Sequence, residues 1–92
     1  MATWDARAWL AGLIGCDRSE LVIRSTDQYG PAETQVRYER GGEAVARVIV
    51  SGPILPLGEP KGGGHWVVSA TIGAGMEDVH SLHIPESTKI VY

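Results

Sequence analysis

Thr34 to Val50 reads TQVRYER-GG-EAVARVIV, two strand-like runs on either side of Gly41-Gly42. A two-residue Gly-Gly connection is among the strongest short-range signals for a β-hairpin. Both central positions of a type I′ turn need positive φ, which glycine adopts without steric cost. With the glycines as the loop, Arg40 faces Glu43, Tyr38 faces Val45, Val36 faces Arg47 and Thr34 faces Ile49. Side chains alternate across a strand, so Val36, Tyr38, Val45 and Ile49 are expected on one face, the core face, with Arg47 among them. The other face carries Gln35, Arg37 and Glu39 on the first strand and Ala44, Ala46, Val48 and Val50 on the second. The second strand is thus apolar on both sides, which suits an inner strand of a sheet better than an edge.

Working outward, the 92 residues make one domain, near the lower end of what folds on a single core. A composition 43% hydrophobic and 21% charged is ordinary for a globular chain and argues against disorder. Net charge is −3, with acidic and basic residues interspersed. No basic stripe advertises nucleic-acid binding, and no dense carboxylate block suggests a nucleic-acid mimic. Cys16 is the single cysteine, so it reads as a small apolar side chain after a helix. The opening MATWDARAWL has no basic region ahead of an apolar core, and no apolar run approaches the roughly 20 residues that cross a bilayer. The expected setting is cytoplasmic, away from membranes. Six of the eight basic residues are arginine, which points weakly to a GC-rich bacterial or phage genome.

A helix is predicted over residues 4–14, with Thr3 as N-cap, Asp5 near the positive end of the dipole and Gly15 as the stop. Its apolar arc is Ala6, Trp9, Leu10, Leu13 and Ile14, which needs a sheet face beneath it. Trp4 falls outside that arc. Residues 20–26 suggest a strand, followed by a loop at 27–31. Residues 51–64, SGPILPLGEPKGGG, hold three prolines and five glycines, a density that excludes an internal strand or helix. Ile54, Leu55 and Leu57 make this loop unusually apolar, either as a lid on the core or as a preformed docking loop. Strands follow at 65–72, 79–84 and 88–92. The fold class is α+β, one N-terminal helix packed on a mainly antiparallel sheet of four to six strands, in a single compact domain.

Chemistry is harder to find. His80 and His83 form H-x-x-H, but an offset of three puts them on opposite faces of a strand; only a helix over 75–83 would bring them together. No hydrolase or metalloprotease signature is present, and the phosphate-cradling glycine loop is absent because Lys61 precedes its glycines. No cofactor, metal or catalytic residue is expected. By elimination, the chain reads as a protein-binding module of accessory or inhibitor type that occupies a partner's surface. Its candidate anchors are Trp4, Tyr29, Ile54, Leu55 and Leu57. The alternative is a small-molecule-binding or enzymatic domain with a pocket between helix and sheet, using Arg47 and His65. The β-forming run at residues 89–92 also raises a homodimer through edge pairing.

Overall fold

The computed structural model describes residues 2–54 and 64–92. The order of elements is β1 (Thr3–Asp5), α1 (Ala6–Ile14), a 3-10 turn (Arg18–Glu20), β2 (Val22–Gln28), β3 (Glu33–Arg40), β4 (Glu43–Ile54), β5 (His65–Ile72), β6 (Asp78–Pro85) and β7 (Lys89–Val91). β2 to β6 form one antiparallel sheet in sequence order, and β1 pairs in parallel with β7. The helix packs on one face of the five-stranded sheet, so the α+β class expected from the sequence is the class observed. No helix among the described residues is long and apolar enough to cross a membrane.

The hairpin turns at the two glycines, with φ of 61° at Gly41 and 84° at Gly42. Arg40 faces Glu43 as expected, but the register then shifts by one, so that Tyr38 faces Ala46, Arg37 faces Arg47 and Val36 faces Val48. Val45 is the extra residue of this β-bulge. The physical reason lies in what each register would bury. The unshifted pairing turns Arg47 inward, where an unpaired guanidinium is costly, and turns Val48 and Val50 outward. The bulge reverses both. Ala46, Val48 and Val50 are buried with Val36, Tyr38, Val68, Ala70 and Ile84, and Arg47 faces away from the core. Placing Arg47 and Ile49 on the core face is therefore corrected, whereas Val45, the bulge residue, still packs half-buried against the core. Gly41→Val should lower stability by about 1–2 kcal/mol in denaturant titration, because a β-branched residue is strained at positive φ. Nothing lies within 4 Å of a Cβ built at Gly41, so the whole effect would be conformational.

The helix begins later than predicted. Thr3, Trp4 and Asp5 pair with Lys89, Ile90 and Val91, and strand pairing there forbids helical dihedrals. Asp5 replaces Thr3 as N-cap, its Oδ1 accepting from the Ala8 amide at 3.0 Å and its Oδ2 from Arg18 Nε at 2.7 Å. Burial pushes the Asp5 carboxyl up, but these donors outweigh it and hold it below the usual range. Gly15 ends the helix in the left-handed conformation. The fully buried residues are Ala6, Leu10 and Ala11; Trp9 and Ile14 pack half-buried against the core, and Leu13, at the edge of the arc, is exposed. Arg40 ties the hairpin to the 3-10 turn through Glu20, at 2.9 Å.

Two further boundaries differ. β2 extends to Gln28, leaving a turn at 29–32 that closes with Tyr29 N–H to Glu33 O at 2.9 Å. β4 runs on through Ser51 to Ile54, in place of the loop expected to start at residue 51. A second bulge between Ser51 and Ile54 absorbs Gly52 and Pro53, so neither breaks the ladder. β5 matches residues 65–72, and residues 78–85 are a strand and not the alternative helix. β7 is paired with the N-terminal strand, so self-pairing of a free terminal edge loses its basis on that side.

Candidate functional site

The helix covers only one face of the sheet. Among the described residues, no element packs across the other face, which carries the odd-numbered side chains of β3, β5 and β6. Cross-strand pairing runs one row of residues over this open face: Ser25 on β2, Arg37 on β3, Arg47 on β4, Thr71 on β5 and Val79 on β6. Like charges directly opposite one another in a sheet are destabilising, by roughly 0.2–1 kcal/mol. Arg37 and Arg47 nevertheless form such a pair at the middle of the row.

Two bulges flank that pair. One is the Val45 bulge that turns Arg47 outward. The other lies in β2 between Ile23 and Ser25 and leaves Arg24 as the extra residue. Bulges re-aim side chains next to functional sites, and here Arg24 joins Arg37 and Arg47 around one concavity of about 480 Å³. Ser25, Ala44 and Met76 complete its lining. Met76, at φ 53° in the β5–β6 turn, is held against the row by the Thr71 hydroxyl, 3.6 Å from its sulfur.

The charge of this concavity is uncompensated among the described residues. Arg18 and Arg40 are ion-paired with Asp5 and Glu20, whereas none of Arg24, Arg37 and Arg47 has such a carboxylate there. Of the two carboxylates on the same face of β3, Glu39 faces Ala44 and Glu33 accepts from Gln35 Nε2 at 3.1 Å, and neither pairs with any of the three arginines. The Nε–H of Arg47 is buried without an acceptor. Three guanidiniums thus meet in one place on a chain whose net charge is −3. Such an arrangement can bind an anion through charge-assisted, forked hydrogen bonds.

The other sequence candidates are dispersed. Trp4 is half-buried against the core, its ring 5.4 Å from that of Trp9. Tyr29 and Ile54 are exposed, at 52% and 45%, and sit with His65 at the end of the sheet opposite the arginine concavity. His65 stacks on His83, ring centroids 4.5 Å apart, on the open face. Leu55 and Leu57 lie outside the described residues. Arg47 and His65 therefore do not share a site. The pocket expected between helix and sheet is replaced by packed side chains, with Leu10, Tyr38 and Val48 fully buried there. His80 and His83 project to opposite faces, and among the described residues no group of three or more histidines, cysteines or acids is placed to hold a metal ion.

Arg24 is not a candidate on sequence grounds, and Arg37 appears there only as part of a polar hairpin face. The one available signal is the abundance of arginine. Its convergence depends on two bulges that no periodicity announces. Cys16 is half-buried against the core, as a small apolar side chain would be. No protein-family model matches the chain, and neither a search of curated proteins nor one of solved structures finds a significant match.

Proposed function

We propose that this chain is a protein-binding module of accessory or inhibitor type, working in the cytoplasm by occupying an acidic surface of a partner protein. The observation that supports this reading is the open sheet face with Arg24, Arg37 and Arg47 upon it, free of carboxylate partners among the described residues. Electrostatic complementarity of this kind steers encounter and fixes register between proteins. Half-buried Ile49, Val67, Ser69 and Thr71 continue the open face on the neighbouring strands, a hydrogen-bonded sheet surface that would dock with little ordering cost. The lone free Cys16 accords with a reducing compartment.

The test is comparative crosslinking and capture from a bacterial lysate with the wild-type chain and the Arg37→Glu/Arg47→Glu variant. The expected result is a partner with an acidic surface that the wild type retains, that is released by salt, and that the charge-reversed variant loses while keeping its fold. A partner held equally by the variant would move docking to the Tyr29–Ile54 end of the sheet and overturn this choice of face. Failure to capture any stoichiometric partner would overturn the protein-binding reading itself.

A further inference from the structure

Going beyond the protein-binding reading, we infer that the concavity of Arg24, Arg37 and Arg47 is a binding site for a phosphate-type dianion. Three guanidiniums gather positive charge that a single carboxylate would leave largely uncompensated. A phosphate group carries a charge of about −1.5 to −2 and three acceptor oxygens, enough for each arginine to engage one. Arginine's planar fork suits that geometry in a way a lysine's point charge does not.

The surroundings fit the same ligand. Arg37 and Arg47 stand opposite each other across two strands of the sheet, so their backbones are fixed at the spacing of a ladder pair. The ligand's charge would relieve the repulsion between them. Arg24 projects from a bulge beside them, and Ser25, directly opposite Arg37, adds a neutral hydroxyl donor. Arg47 keeps one buried Nε–H without an acceptor, so its present position is not its best-satisfied one. A swing of that side chain onto an oxyanion would satisfy the donor. Ala44 and Met76 fill the wall between the arginines without a carboxylate that would compete for them.

Phosphate alone and pyrophosphate are the probes, titrated into the isotopically labelled chain at constant ionic strength, with glutarate as a carboxylate comparator. Saturable shifts are expected at the amides of Arg24, Ser25, Arg37, Arg47 and Met76, with pyrophosphate binding more tightly than phosphate. Arg37→Gln and Arg47→Gln should each weaken binding by roughly 10- to 100-fold, as one or two lost charge-assisted hydrogen bonds would. Without ligand, both variants should be at least as stable as the wild type, because a like-charge pair has been removed. Arg40→Gln, which breaks the Glu20 ion pair away from the site, should leave phosphate binding intact. Pyrophosphate shifts that track the same residues in the wild type and vanish in Arg47→Gln support a free phosphate ligand. Absence of any saturable shift, equal response to glutarate, or undiminished binding in both Gln variants would overturn the assignment. None of these readouts needs a protein partner, so this site can fail while the docking reading stands.

Discussion

Gly52→Ala should cost the fold roughly 2–4 kcal/mol, combining backbone strain with steric overlap. Gly52 has φ of 122°, a conformation that side-chain-bearing residues rarely adopt. A Cβ built there would stand 2.8 Å from the Ile54 nitrogen and 3.1 Å from the His65 carbonyl oxygen, both backbone atoms of the bulge and of the next strand. Neither can yield without opening the β4–β5 ladder. The Gly52 amide also donates to Ala32 O at 2.8 Å, so a shift would disturb the β2–β3 turn as well. For a domain of this size, 1 kcal/mol moves Tm by about 4–8 °C, so a fall on the order of 15 °C is expected. Calorimetry on the Ala variant measures it. A wild-type Tm would mean that the backbone at residue 52 does not take this course. The contrast with Gly41→Val is informative, since Gly41 has open space around it and only its φ is at stake.

Stability should also fall by about 2 kcal/mol between pH 10 and pH 12, through Tyr38 alone. Burial pushes the Tyr38 phenol up from 10.0 to about 12, and the nearby Arg7 only partly offsets this. Its hydroxyl is buried with no hydrogen-bond partner, so nothing prepares the site for a phenolate. Folding therefore favours the neutral form. The resulting stability is complete below the unfolded pKa of 10.0 and is lost as pH rises towards about 12. Burial raises Tyr92 too, which acts in the same direction. Urea titrations at about pH 8, 10 and 11.5 on wild type and Tyr38→Phe, bracketing the unfolded tyrosine pKa, separate the contribution. A phenylalanine ring has no proton to lose, so the variant should show a much shallower alkaline decline. At neutral pH it should match the wild type, because the deleted hydroxyl makes no bond. Parallel pH profiles for the two proteins would rule Tyr38 out as the cause.

Much of the scaffold was readable from local chemistry. Gly41-Gly42 specified a two-residue turn because only glycine takes two consecutive positive φ values freely, and both are observed. The two-sided apolar pattern of residues 43–50 placed β4 inside the sheet, where it lies between β3 and β5. Residues 65–72 alternate with period two, which puts Val68 and Ala70 on one face, and both are fully buried. The stop at Gly15 followed from the same left-handed preference that served the hairpin. These features are decided within a few residues, and sequence by itself determined them.

The candidate site belongs to the other category. A strand's side chains alternate with period two, so one inserted residue exchanges inside for outside along everything beyond it. Val45 makes that exchange in β4, and the decision rests on burying Val48 and Val50 in place of Arg47, a preference expressed only once β3, β5 and α1 surround them. Gly52 and Pro53 likewise read as breakers until a bulge against His65 absorbs them. Trp4 looked like a stray helical residue because its strand partner, Ile90, lies at the far end of the chain. Arg24, Arg37 and Arg47 are separated by 13 and 10 positions along the chain, and no local rule relates them. Their meeting is set by ladder register and two bulges, which depend on the whole core being packed. Tertiary structure alone gathers that charge into one concavity.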